Sequence, residues 1–262
     1  WFYVWDRATG EIVVNPWMHT YNDINLGVNM TSGRPKYDKD KWMFTNVEDR
    51  RKYSQSDPMG QRKPAGYTGT EVEYCPGTAA RNWENDAWSP LTKMLYVHSD
   101  NTCAAQIVVA GDYKPGTGYT LRQTVAGVTA VNKGLDGQPT RVSSELKAMD
   151  PIARKNAWTI AINDTNRTPQ MATAGGLLFK GFSDKGLFQA LDAKDGKILW
   201  SFRAGAKFNQ SPITYLHGGK QYVAIMTSAR IGDPAVAANA APDDANRYRR
   251  QGTTLFVFKL PG

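Results

Sequence analysis

The sequence predicts an all-β chain, a β-propeller of four-stranded antiparallel blades, and three observations carry that expectation. Short runs rich in Leu, Phe, Ile and Trp recur, cut by Gly or Asp-Gly at roughly eight-to-twelve-residue intervals, the rhythm of hairpins rather than helices. One unit reads Asp192-Ala-Lys-Asp-Gly196-Lys-Ile-Leu-Trp200, a tight turn with an indole on the returning strand, and Asp150 to Trp158 repeats its spacing with Arg154 at the glycine position. From Asp150 to Asp192 is 42 residues, the length of one four-stranded blade.

Taken in order, residues 1–14 read as a hairpin in which Trp5-Asp6-Arg7-Ala8-Thr9-Gly10 repeats the front half of that unit, with Val14 at the Trp position. Residues 15–70 run long and irregular, crowded with Asn, Gly, Pro, Lys, Asp and Tyr, as a functional loop or a cover over one face would. Asp38-Lys39-Asp40 lacks the glycine and the later glutamate of a calcium loop and reads as a solvated charge cluster. Strands are expected at 94–97 and 106–109, then, after a Gly-rich connection, at one ending in Met149. Further strands are expected at 187–191, 197–202, 210–215, 221–225 and 254–258, separated by short turns and by a loop of small residues, Pro and charge from Arg230 to Arg250. These strands amount to about four blades.

Composition narrows the function. A chain of 262 residues with 8 Trp, 12 Tyr and 24 Gly has enough material for a packed β core with many tight turns. No apolar run approaches the length of a membrane-crossing helix. The formal charge of +8 is scattered rather than striped, which argues against nucleic acid and suits a small polyanionic ligand or an acidic partner. His19, His98 and His217 do not fall at zinc-ligand spacing with the cysteines, and His98 and His217 read as ordinary strand and turn residues. Cys75 and Cys103, the two cysteines of the chain, flank a hairpin and read as a disulfide or as two buried thiols. Closing that loop covalently contributes roughly 3.5 kcal/mol and implies an oxidising compartment. Trp1-Phe2-Tyr3-Val4-Trp5 is already strand-like, so the chain is expected to be part of something larger.

Several segments, in register and in the same order, resemble the pyrroloquinoline-quinone-dependent alcohol dehydrogenases. They are Phe2-Tyr-Val-Trp-Asp-Arg-Ala-Thr-Gly10, Cys75-Pro to Asn82-Trp83 to Cys103, Ala172-Thr-Ala-Gly-Gly-Leu-Leu-Phe179, Ala190-Leu-Asp-Ala-Lys-Asp-Gly-Lys-Ile-Leu-Trp200, and Ser211-Pro-Ile-Thr-Tyr with Gln221-Tyr-Val-Ala-Ile. The resemblance implies that residues 1–262 are the C-terminal part, about four blades, of a single eight-bladed quinoprotein propeller in the periplasm. It also implies that Asp-Gly-Trp repeats dock neighbouring blades and that Cys75 bonds Cys103. The implied activity is oxidation of an alcohol to an aldehyde with electrons passed to a cytochrome c. Pyrroloquinoline quinone (PQQ) is the implied cofactor, with calcium or a lanthanide beside it.

Carried residue by residue, the resemblance places Asn82, beside Trp83, against the quinone. At the position of a cofactor-facing tryptophan this chain has Arg167, and a Gly-Gly-Trp-Pro element of some members is replaced by the segment Ala229-Arg230-Ile-Gly-Asp233. The quinone carries three carboxylates, and a guanidinium grips a carboxylate with two parallel hydrogen bonds, so Arg167 and Arg230 are expected to hold that edge. The catalytic aspartate and the metal ligands belong to the preceding half of the family's propeller. The rival expectation is a non-enzymatic propeller scaffold of the outer-membrane assembly type, built from similar Trp-containing repeats without cofactor.

Overall fold

The computed structural model describes residues 1–23, 25–37, 72–77, 80–108, 114–116, 122–124, 131–162, 168–183, 185–204, 206–228 and 253–259. All regular structure among them is strand, and every pairing is antiparallel. The chain divides into two compact units, Trp1–Ala80 with Asn101–Arg141, and Arg81–Asp100 with Val142–Gly262.

The second unit holds two complete blades. The Trp158 blade is a four-stranded meander of Ala87–Ser89, Met94–Asp100, Ser144–Asp150 and Lys155–Ala161. Its middle strands are buried on both faces, and its outermost strand alternates exposed with half-buried residues. The Trp200 blade follows with Gln170–Ala172, Leu177–Phe182, Leu187–Asp192 and Ile198–Arg203. A third sheet pairs Ile213–His217, Lys220–Met226 and Leu255–Lys259. The unit therefore shows two four-stranded blades and one three-stranded sheet among its described residues. Residues 101–141 leave the Trp158 blade between its second and third strands and belong to the other unit.

Aromatic and aliphatic side chains join the sheets of this unit. Tyr96, Leu146 and Ala148 of the Trp158 blade share a buried cluster with Leu178 and Leu191 of the Trp200 blade and Ala193 of its turn. Trp158 is half-buried against that cluster, its indole N–H donating to the Ala193 carbonyl at 3.2 Å. Phe179 and Phe188 join Phe208, Val223 and Ile225 in a second cluster, with Phe256 and Phe258 packed against it. Trp200 leans edge-on against Phe258 at 5.0 Å and Phe188 at 5.9 Å, yet stays 39% exposed. Trp158 lies over the glycine of the following Asp-Gly turn, where a Cβ on Gly196 would stand 3.1 Å from its ring.

One turn geometry recurs five times among the described residues. Asp6, Asn29, Ser89, Asp150 and Asp192 each accept, on the backbone carbonyl, the N–H four residues on. Each side-chain oxygen also accepts one or two of the intervening N–H groups. The fifth residue adopts a left-handed backbone: Gly10, Gly33, Lys93 at φ 56°, Arg154 at φ 56° and Gly196 at φ 77°. Arg154 thus takes the conformation of the glycine it replaces.

The first unit is built of smaller pieces. Phe2–Trp5 pairs with Ile12–Trp17, Asn25–Val28 with Pro35–Tyr37, and Asn132–Lys133 with Pro139–Thr140. Val72–Tyr74, Ala104–Val108 and Arg122–Thr124 form a three-stranded sheet. The hairpin turning at Asn29 corrects the expectation of an irregular stretch from residue 15: its turn uses Asn for Asp, and its strands carry little apolar periodicity. Asp38-Lys39-Asp40 lies outside the described residues. Cys75 and Cys103 are bonded to each other and buried at 1% exposure each. Around them Cys75 N–H donates to the Asp23 carboxylate at 2.8 Å, and Cys103 N–H to the Val131 carbonyl at 2.8 Å.

Candidate functional site

The candidate site grows from residues 81–86, the turn that leads into the opening strand of the Trp158 blade. Arg81 turns inward and organises it. One guanidinium nitrogen donates to the His98 carbonyl at 2.7 Å; the other reaches the Glu84 carbonyl and the Asp86 carboxylate, the latter at 2.6 Å. Glu84 is buried and its carboxylate accepts the backbone N–H of Asn82 at 3.1 Å. A guanidinium bonded to two carbonyls and a carboxylate holds a tight turn in one shape. What the turn presents outward is the Asn82 side chain, exposed, and the Trp83 indole, 64% exposed. Among the described residues no partner takes the Asn82 amide. An open amide beside an open flat ring is the donor set a flat, oxygen-rich heterocycle needs: a face to stack on and a hydrogen-bond donor at its rim.

Beneath this turn lies a polar network that sequence reasoning missed. Lys180, in the second strand of the Trp200 blade, is fully buried. Its ammonium donates to the carbonyl and hydroxyl of Thr168, both at 2.8 Å, and to the Gln170 amide oxygen at 3.3 Å, and lies 3.2 Å from His98 Nδ1. Thr168 N–H donates to the same His98 Nδ1 at 3.1 Å, so Nδ1 is an acceptor and the ring proton is on Nε2, which donates to Ser144 Oγ at 3.1 Å. His98 is therefore no ordinary strand residue. Gln170 turns its amide nitrogen the other way, to the Tyr96 carbonyl at 2.8 Å and the Asp86 carboxylate at 3.4 Å. Burial pushes the Asp86 carboxyl above the ordinary aspartate range, while the charges of Arg81 and, less strongly, Lys180 draw it back. The signal for Lys180 was a lysine in mid-strand between Phe179 and Phe182, where a solvated residue has no place.

Of the site residues expected from the sequence, Asn82 and Trp83 share one outward-facing turn. Arg167 and Arg230 lie outside the described residues. The Cys75–Cys103 bond belongs to the other unit. Among the described residues no three of His, Cys, Asp and Glu come together as a metal site would require, and no helix is long and apolar enough to cross a membrane.

Residues 139–223 match the family described as "PQQ: Glucose/ethanol/alcohol dehydrogenase, beta-propeller domain". The chain is 30% identical over 211 residues to the quinoprotein ethanol dehydrogenase of Pseudomonas aeruginosa, an alignment covering 77% of this chain and 31% of that protein. It is 32% identical over 175 residues to the lanthanide-dependent methanol dehydrogenase of Methylacidiphilum fumariolicum, covering 65% of this chain and 27% of that one. Among solved structures, a europium-containing methanol dehydrogenase superposes with a TM-score of 0.69 at 25% identity, over 98% of this chain and 43% of its own. The chain spans less than a third of the length of either curated relative.

Proposed function

The chain belongs to the β-propeller of the PQQ-dependent alcohol dehydrogenase family, and on that premise we propose that it forms part of a periplasmic enzyme that oxidises alcohols and passes the electrons to a cytochrome c. The observation that carries the reading is the Asn82–Trp83 turn, two outward-facing side chains clamped from behind by Arg81. Asn82 would donate its amide to an oxygen of the quinone, and Trp83 would offer its ring as a flat apolar wall. Arg167 and Arg230 would neutralise the carboxylates at its edge. When bound, the quinone supplies the two-electron acceptor for the alcohol carbon, with calcium or a lanthanide as its Lewis acid.

The protein's own task at this site is positioning. An amide that has not already been claimed by a neighbour can give its full hydrogen bond to a ligand, and the clamp keeps it from folding back. The proton acceptor for the alcohol is not among these residues. The test is to denature the purified full-length protein and look for released quinone by absorbance, then to add PQQ with calcium to the apoprotein and follow alcohol-dependent reduction of an artificial electron acceptor. Release or uptake of quinone with alcohol-dependent reduction is expected. A protein that neither releases quinone nor takes it up would be the cofactor-free scaffold instead.

A further inference from the structure

We propose that Lys180 is a positioning residue for the cofactor-facing turn: through Gln170 and Asp86 its buried ammonium sets the guanidinium of Arg81, on which Asn82 and Trp83 are mounted. The inference rests on the quinone-site reading above and goes beyond it by assigning a role to a residue that touches no ligand.

An ammonium donates three hydrogen bonds and accepts none. Placed 3.3 Å from Gln170, it accepts only one orientation of that carboxamide, oxygen toward Lys180 and nitrogen away. The nitrogen then meets two acceptors, the Tyr96 carbonyl and the Asp86 carboxylate. With the amide reversed, an oxygen would face both of those oxygens and a nitrogen would face the ammonium, so every contact would become repulsive. Lys180 therefore fixes the sense of Gln170, and Gln170 supplies a donor to the same carboxylate oxygen that pairs with Arg81 at 2.6 Å. Arg81 in turn holds the His98 and Glu84 carbonyls, and Glu84 holds the Asn82 backbone.

Satisfying the buried Thr168 and Gln170 oxygens accounts for part of this lysine's presence, but a charge is a costly way to do it. Its neighbours along the strand are Leu178, Phe179 and Phe182, and an unbranched apolar side chain would fill the space without burying a charge. An ammonium is costly to bury and brings direction, since only a donor sets the Gln170 amide with its oxygen toward Lys180.

The test is a double-mutant cycle on the full-length apoprotein, with PQQ plus calcium as probe and affinity read by titration. Lys180→Met and Asn82→Ala are each expected to weaken binding about tenfold, the loss of one directed hydrogen bond. Because both act through one turn, the double variant is expected within about twofold of the weaker single variant. Losses that multiply, or a Lys180→Met protein that unfolds at lower temperature but binds as tightly as wild type, overturn the proposal and leave Lys180 a packing residue. If Lys180→Met does not fold, Gln170→Met breaks the same relay with Lys180 in place and is judged by the same criteria. Wild-type protein that fails to take up the quinone, or an Asn82→Ala variant without effect on uptake, overturns the underlying site reading and the proposal with it.

Discussion

The indole of Trp158 and the carbonyl of Ala193 meet across two blades at 3.2 Å, and the same carbonyl accepts the Tyr96 hydroxyl at 2.8 Å. One buried acceptor in the turn of the Trp200 blade thus receives two donors from its neighbour. Such an oxygen would be costly to bury alone, and each donor it meets makes the docking directional as well as apolar.

Trp158→Phe keeps the ring and removes the N–H. Unfolding free energy is expected to fall by about 1 kcal/mol, because Tyr96 still satisfies the carbonyl. Trp158→Ala empties the docking face and is expected to cost about 3–5 kcal/mol. Urea unfolding of the two variants beside wild type checks the ratio; equal losses would mean the bond, not the ring, carries the contact.

Gly196 and Arg154 occupy the same turn position in successive blades and should respond differently. A Cβ on Gly196 would lie 3.0 Å from Ile160 and 3.1 Å from the Trp158 ring, at a left-handed φ of 77°. Gly196→Ala is expected to destabilise by about 1–3 kcal/mol. Arg154→Gly relieves a left-handed non-glycine residue but loosens the unfolded chain, so a change below about 1 kcal/mol is expected. Thermal midpoints of the two variants separate these cases.

Asp6 and Asp86 should impose opposite pH dependences. The backbone N–H groups of Thr9 and Ala8 hold the Asp6 carboxyl below its ordinary value of 3.8. Its contribution is therefore present above that value and lost as pH falls through the lowered one. Burial raises Asp86 above 3.8 despite Arg81, so the folded state holds that proton more tightly than the unfolded chain, and stability declines as pH rises through the raised value. Stability of Asp86→Asn relative to wild type should improve as pH rises from below 3.8 through the raised value, while Asp6→Asn should lose ground over the acid range. Denaturation midpoints across that range decide both signs; parallel curves for the two variants would contradict them.

Removing the Cys75–Cys103 bond by a double Ser substitution should cost roughly 3.5 kcal/mol from the loop it closes. Denaturant unfolding of wild type with and without reductant is the comparison. A loss below about 1 kcal/mol would show that the hydrogen bonds from Cys75 to Asp23 and from Cys103 to Val131 suffice on their own.

Much of the blade architecture was readable from residue spacing. The 42-residue interval from Asp150 to Asp192 is one blade, and the Asp-to-Trp offset brought Trp158 to its neighbour. Where reading failed, the cause was local chemistry hidden under a different residue type. Asn29 to Gly33 makes the same turn as Asp192 to Gly196 but shows neither Asp nor Trp, and Ser89 to Lys93 makes it without a glycine. Asn82 and Trp83 were singled out by resemblance, whereas the Arg81 clamp behind them was not. Gln170 and Lys180 reach Tyr96 and His98 in a strand 74 and 82 residues away, and no periodicity marks a polar side chain whose partners are another strand's backbone or ring atoms.

The departure of residues 101–141 from the Trp158 blade has a consequence for how the two blades come into being. The Trp200 blade closes within residues 170–203, each strand beside the one just before it, so its contacts are nearly all local. The Trp158 blade must join residues 94–100 to residues 144–150 across the whole excursion before its sheet is continuous. Loop closure of that length slows pairing, and speed follows locality. The contiguous blade is expected to form first and to present Ala193 and Gly196 as a surface on which its neighbour assembles, with the amides of residues 187–192 gaining protection before those of 144–150 in pulse-labelled hydrogen exchange.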